Sequence, residues 1–453
     1  ADHHGGQAEV PGAGKSALMA NWIEAYRRRR PQDQIFEHYL GASPESADPE
    51  LLVRRLWVFL NLATSDEILP AASDPDLAAL SAELPARLSR ASAALEKRGA
   101  RLILALDGLD KLTEASDLRW IPDALSLNVR LLASALEGHA RSAAQTRGWL
   151  FLHVQPLQPS ERAEFVHATL RAWGRDLSPG RVDHILANPL SSNPLFLKTV
   201  LEELRYSATE ARLDERLNFY LQAADVPGLF TRVLERLEAD CGADFTQDAL
   251  SLIWASRSGL EEAEILSTTQ APPIAWSLLR NNLNDALREQ DGRITFSHDF
   301  LRNAAERRYL STPELKRKAH LAIADLFSSR GPDERQAEEQ LYQLRVAEDW
   351  ARLESVLVDM DRLSFNAARG PMELIGYWRA LSSHGRAPEA LLLDAYDAYA
   401  QDPPSERMLL AGALLNRFLW EFGSRSARSE QHARRIAAGV VAAMGEEHNA
   451  SID

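Results

Sequence analysis

Up to about residue 155, short apolar runs alternate with segments of helical spacing, the pattern of a parallel α/β sheet. The helix expected to open at Ser16 carries Leu18, Met19, Trp22, Ile23 and Tyr26 at helical spacing and stops before Pro31. Residues 35–42 (IFEHYLGA) predict a strand, residues 49–60 a helix entered through Asp48-Pro49, and residues 80–98 a helix closed by Gly99. The run LILAL at 102–106 is apolar throughout and leads into Asp107, as a strand buried on both faces should. Residues 129–134 (VRLLAS) and 149–154 (WLFLHV) predict two more strands, with Gly138 and Gly148 punctuating the connection between them. With one further strand expected ahead of residue 12, the reading is a five-stranded parallel sheet.

After Pro156 the alternation stops. Residues 160–173, 181–188 and 194–206 predict a compact helical domain. Residues 228–310 read as several helices, a tight turn at Asp291-Gly292 and a short strand at 293–296, a combination expected of a winged helix. Beyond Ser311, amphipathic pairs such as 313–328, 333–348 and 350–357 suggest tetratricopeptide-like helical repeats, an α-solenoid with a period of about 35 residues. The closing GEEHNASID does not read as a capping helix, so the solenoid is expected to continue. The expected domains are therefore 1–155, 156–225, 226–311 and 312–453.

Composition narrows the class. The chain has 453 residues, 45% hydrophobic and 26% charged, so it is long enough for several cores. No apolar run approaches a membrane span, and one cysteine, Cys241, excludes an internal disulfide framework, so a cytoplasmic location is expected. A net charge of −14 disfavours non-specific attraction to nucleic acid or anionic lipid. The run Arg27 to Arg30 reads as a solvated last helical turn complementing the helix dipole.

Candidate chemistry begins at Pro11-Gly12-Ala13-Gly14-Lys15-Ser16-Ala17. Glycines there let successive N–H groups turn toward phosphate oxygens, Lys15 reaches the terminal phosphates, and the Ser16 hydroxyl completes a Mg²⁺ shell. Glu9 stands where the full P-loop pattern has glycine, and residues 1–8 (ADHHGGQA) do not read as the apolar strand that ordinarily precedes such a loop. That strand is expected to be missing from this sequence, and His3-His4 is read as a tag remnant rather than a metal site. About ninety residues on, Asp107-Gly108-Leu109-Asp110 follows the apolar strand, and a carboxylate at that edge lies beside a P-loop in space. Asp107 is assigned to the metal, Asp110 to the attacking water, and Ser134 either to the γ-phosphate or to a plain strand end. His38, on a predicted strand, is read as structural.

The order of P-loop, LILALDGLD, NVRLLAS, WLFLHV with PLQPSERAEF, NPLFLKTVLEELR, FSHDFLRNAAERRYL and helical hairpins resembles a signal-transducing STAND ATPase of the NACHT type. The resemblance covers nearly the whole chain. It implies that Pro194 packs on adenine and that His298, in Ser297-His298-Asp299, binds the β-phosphate of ADP at rest. Serine stands there for the family's methionine, and Lys111 stands where many members carry a second acid. The implied activity is a slow Mg²⁺-dependent ATPase switch that senses a ligand on its C-terminal repeats, self-oligomerises with ATP and drives an effector, as bacterial NLR-like proteins do in antiphage defence. Two other classes compete. One is an ATP-dependent transcriptional regulator, although residues 274–290, its recognition-helix region, set Arg280 and Arg288 against Asp285 and Glu289. The other is a helical-repeat scaffold with a degenerate P-loop.

Overall fold

The computed structural model describes residues 12–42, 44–64, 77–112, 115–205, 210–283, 286–297, 299–368, 371–399, 406–421 and 426–450. The chain divides into two compact units, Ala1–Leu229 and Phe230–Asp453. It is mostly helical, with a small parallel sheet in the first unit.

In that unit α1 (Lys15–Arg29) leads to β1 (Gln34–Tyr39), then α2 (Pro49–Thr64), α3 (Leu77–Glu96), β2 (Leu102–Asp107), β3 (Val129–Ala133) and α4 (His139–Thr146). The strands are parallel in the order β1-β2-β3, with Tyr39 opposite Asp107 and Leu106 opposite Ala133. All six side chains of β2 are buried, and the five ahead of Asp107 alternate between two cores. Leu102, Leu104 and Leu106 pack with α2 and α3, through Leu52, Leu56, Leu84 and Leu88. Ile103 and Ala105 pack with Met19 and Ile23 of α1, and with Ile35 of β1. Helices on both faces leave no room for a polar side chain until the strand ends at Asp107.

Three ladder-forming strands stand where five were expected. The strand placed ahead of the P-loop falls on residues outside those described. Residues 149–154 are a correction: they carry no ladder pair among the described residues, and Leu150 and Leu152 are 101% and 85% exposed. Apolar alternation makes a strand only where a neighbouring strand offers N–H and C=O groups, and β3 is the last strand of the parallel sheet among the described residues. Ser134, expected to close β3, lies one residue beyond it.

The first unit continues through α5 (Pro159–Ala172), α6 (Pro179–Ala187), α7 (Pro194–Arg205), α8 (Glu210–Leu221) and the opening of α9 (Val226–Cys241). In the second unit, α10 (Ala243–Ala255), α11 (Glu262–Thr269) and α12 (Pro273–Leu283) precede an antiparallel hairpin of β4 (Leu287–Gln290) and β5 (Arg293–Phe296), with Leu260 bridging to Ile294. Here too the sequence reading is corrected. The helix in residues 274–290 stops at Leu283, and Arg288 and Glu289 lie on β4, because the turn at Asp291-Gly292 pairs that strand with β5. Asp285 lies outside the described residues.

After α13 (Asp299–Tyr309) come α14 (Pro313–Ser328), α15 (Glu334–Val346), α16 (Trp350–Leu357), α17 (Met360–Ala368), α18 (Pro371–Ser383), α19 (Pro388–Tyr399), α20 (Glu406–Glu421) and α21 (Ala427–Ala450). They share a core that includes Leu341, Leu353, Trp378, Tyr396, Leu415 and Ile436. Helix lengths range from 8 residues in α16 to 24 in α21, so the repeat is irregular. α21 continues to Ala450, into the segment that does not read as a capping helix in sequence.

α15 is buried yet polar. Arg335 donates to Gly259 O at 2.6 Å, to Glu264 Oε2 at 2.9 Å and to Glu339 Oε1 at 3.1 Å. Glu339 also accepts from the backbone N–H groups of Arg257 and Ser258. Burial is the largest influence and would raise the Glu264 carboxyl, but the hydrogen bonds and charge of Arg335, the Glu261 N–H and the charge of Arg330 together hold the group below its ordinary value. Removing one partner of such a pair leaves an uncompensated buried charge. Arg335→Met should therefore cost about 3–5 kcal/mol in urea denaturation, with part of the loss recovered by adding Glu264→Gln.

Among the described residues three histidines are buried, His38, His320 and His432. Arg55 Nη1 donates to His38 Nδ1 at 2.9 Å, so Nε2 carries the hydrogen and donates to Ser46 O at 2.7 Å. The ring is thus a neutral structural group, as the sequence reading has it. Burial pushes the imidazoles of His38, His320 and His432 below their ordinary value. Unfolding then takes up protons as pH falls. The contribution of these histidines is full above the unfolded value of about 6.5 and is lost as pH falls through the lower folded values. Urea midpoints should drop between pH 7 and pH 5, before the carboxylates titrate; a flat profile over that interval would contradict the burial of these rings.

Candidate functional site

The site begins with the direction of α1. At its C-terminal end Tyr26 donates its hydroxyl hydrogen to Asp33 Oδ2 at 2.7 Å, and Asp33 Oδ1 accepts from the N–H of Arg101 at 3.0 Å. Asp33 and Arg101 immediately precede β1 and β2, so the C-terminus of α1 sits at the sheet edge where the strands start. Burial would raise the Asp33 carboxyl, but hydrogen bonds from Tyr26, Arg101 and Arg30 hold it below its ordinary value. Met19 and Ile23 fasten the helix across the sheet. Fifteen residues of helix and six of strand both span about 20 Å, so the N-terminus of α1 lies at the edge where β2 ends in Asp107. The last basic turn is paired rather than merely solvated: Arg27 bonds Glu37, Arg28 bonds Glu24 and Arg30 bonds Asp33.

Gly12 and Gly14 have φ of +84° and +89°. Only glycine takes this left-handed region without strain, and it turns the backbone into the helix. Gly14 is the N-cap of α1, no side chain caps the helix, and the first bond of the turn runs from Leu18 N to Gly14 O at 2.8 Å. The first-turn N–H groups therefore face outward, with the positive end of the helix dipole behind them. Lys15 is half-buried at the start of the helix, and Ser16 and Ala17 are exposed. Pro11 lies outside the described residues.

Pro194 lies against this loop. A Cβ on Gly14 would sit 3.8 Å from Pro194 Cγ, and one on Gly12 would meet Leu195 Cβ at 3.0 Å and Asn193 Oδ1 at 3.1 Å. Asn193 caps α7 by accepting from the N–H groups of Leu195 and Phe196 at 2.9 and 3.2 Å. Asn193 and Leu195 are thus loop contacts that the sequence reading passed over, although asparagine before a proline at the first helical position is a legible cap.

Asp107, Asp110 and Ser134 form a second cluster. The Ser134 hydroxyl donates to Asp107 Oδ1 and accepts from the N–H of Gly108 at 2.9 Å. Asp110 Oδ1 accepts from the N–H of Leu136 at 2.7 Å. Among the described residues no hydrogen bond reaches Asp107 Oδ2. A carboxylate oxygen without a protein donor, at the edge that carries the exposed Ser16 hydroxyl, fits an oxygen-liganded Mg²⁺. His298 lies outside the described residues.

No protein-family model matches the chain. It is 26% identical, over 83% of its length, to a TPR repeat-containing protein of Dictyostelium discoideum, covering 25% of that protein. It is 24% identical over 91% of its length to Nephrocystin-3 of Mus musculus, covering 32%, and 28% identical over 71% to Telomerase protein component 1 of Rattus norvegicus, covering 14%. The chain thus spans a third or less of these relatives. Among solved structures it is similar to a STAND protein with a tetratricopeptide repeat sensor from Pyrococcus horikoshii, with a TM-score of 0.42 at 13% identity, covering 96% of this chain and 61% of that one. A Walker-type ATPase of Pyrococcus abyssi gives 0.33 at 15% identity, covering 66% and 89%.

The two loop glycines differ in what a side chain would meet. Gly14→Ala should cost about 1–2 kcal/mol of left-handed strain. Gly12→Ala adds the approach to Asn193 and Leu195 and should cost more; equal thermal shifts for the two variants would contradict the packing of the loop on α7.

Proposed function

We propose that this chain is a nucleotide-operated signalling switch of the STAND ATPase type, with adenine nucleotide as the ligand of the first unit. The observation that carries the reading is the shared edge: the glycine turn and uncapped start of α1 lie at the end of the sheet where β2 delivers Asp107. Outward N–H groups and a helix dipole favour phosphate, and Lys15, half-buried at the start of α1, would supply the cation of a P-loop. Ser16 and Asp107 would hold Mg²⁺, which would neutralise charge developing on phosphate oxygens. Pro194, packed beside Gly14, is placed in this reading against the base.

The helices α10–α12 with the β4–β5 hairpin support a winged-helix reading of that segment, and there the NACHT-type resemblance would make His298 a clamp on ADP. The similarity over 83% of the chain to a TPR repeat-containing protein supports reading α14–α21 as tetratricopeptide-like repeats, and the proposal assigns ligand sensing to them. The reading follows the exchange of ADP for ATP with self-association and delivery of the signal to an effector. Moving such a device from mostly closed to mostly open requires about 5.5 kcal/mol of preference for the open state, divided between nucleotide and sensed ligand.

The direct test is to denature purified protein and identify what it releases by chromatography and mass spectrometry. ADP near one per chain is expected, and Lys15→Ala should abolish it by removing a charge-assisted phosphate contact. Asp107→Ala should retain nucleotide while losing Mg²⁺-dependent turnover. Protein that carries no nucleotide and binds no added ATP would sink the proposal. His298→Ala should speed nucleotide exchange, and unchanged exchange would remove the clamp from it.

A further inference from the structure

Beyond the last ladder pair of β2 and β3, the two chains stay joined by a second set of bonds. Ser134 N–H donates to Leu106 O at 2.9 Å, and Leu109 N–H donates to Ser134 O at 2.8 Å. The Ser134 hydroxyl then bridges the Gly108 N–H and Asp107 Oδ1, and the Leu136 N–H donates to Asp110 Oδ1 at 2.7 Å. The segment after β3 is therefore fastened to every residue from Leu106 to Asp110.

We infer that Ser134 and Asp110 are positioning residues, forming a brace that aims the Asp107 carboxylate, and that neither supplies a proton-accepting or phosphate-sensing group. A serine hydroxyl has one hydrogen, and here Asp107 takes it while a lone pair accepts from Gly108. Donation to a phosphate would require releasing Asp107, so the hydroxyl acts through the carboxylate. Asp110 Oδ1 is engaged by a backbone N–H, and an amide oxygen accepts such a bond as well as a carboxylate does. This bond therefore does not need the charge, and Asp110→Asn tests whether the second oxygen, Oδ2, is used as a base. With Ser134 holding Oδ1, Asp107 keeps Oδ2 for the metal. Displacing a ligand of this kind by about 1 Å costs on the order of a hundredfold in rate.

The kinetic arm of this inference rests on the ATP-hydrolysing reading; its structural arm does not. Asp110→Asn should keep kcat for ATP within about threefold of wild type, whereas Asp110→Ala and Ser134→Ala should lower kcat by about ten- to a hundredfold with KM within about twofold. In hydrogen exchange the Leu136 amide should remain slow in wild type and Asp110→Asn and become fast in Asp110→Ala. If Asp110→Asn loses turnover as Asp110→Ala does while its Leu136 amide stays slow, the negative charge itself is used and the brace is wrong. An Asp110→Ala protein with wild-type exchange at Leu136 overturns it equally. Wild-type protein without turnover would defeat the ATPase reading, and the Leu136 amide would still decide the brace. If Asp110→Ala fails to fold, kcat and Leu136 exchange in Asp110→Asn decide it.

Discussion

Burial of β2 on both faces is the constraint from which the first unit follows. Each leucine or isoleucine removed from water there contributes about 1.5–3 kcal/mol, and an unpaired carboxylate in the same place would cost several. The strand must therefore be apolar to its end, two helical layers must cover it, and its first carboxylate must stand at the C-terminal edge. Asp33, joined to both Tyr26 and Arg101, fixes which end of α1 meets which edge. The glycine turn then arrives beside Asp107 as a result of packing, since the two are about ninety residues apart in the chain.

The second unit solves burial differently. α15 contributes Gln336, Glu339, Gln340 and Gln343 to the interior; Gln336 donates to Gln340 within the helix, and Glu339, Gln340 and Gln343 are joined to groups of the neighbouring loop and helices. Such a network stabilises little relative to an apolar core of equal volume, yet it tolerates few alternatives, because each buried group demands its own partner. The polar seam holds α15 in one register against the loop Arg257–Gly259, because each of its hydrogen bonds needs a particular partner.

How much was legible depended on whether an element needed a distant partner. Residues 102–107 could be read because an uninterrupted apolar run followed by aspartate has few other solutions. The extended run 149–154 has the same appearance, but a strand is a pairing and its register is not written in its own residues. Residues 274–290 were read as one recognition-helix region because the apolar spacing carries through to Leu287, and only the pairing of β4 with β5 shows that the region ends in a strand. Asn193 was visible as a cap, and its contact with Gly12 depends on α7 lying against the loop, a packing outcome with no local signal.

The sequence by itself determined the apolar period of β2, the positive-φ glycines before Lys15, the helical spacing beyond Pro156 and the residue types of a phosphate and metal site. Local sterics and burial act on neighbours in the chain, so they can be read there. Tertiary structure alone decided that Ser134 bonds Asp107, that Asp110 holds Leu136, and that Pro194 meets Gly14. Those contacts depend on strand order and helix docking, where residues far apart compete for the same hydrogen-bonding groups and the same space.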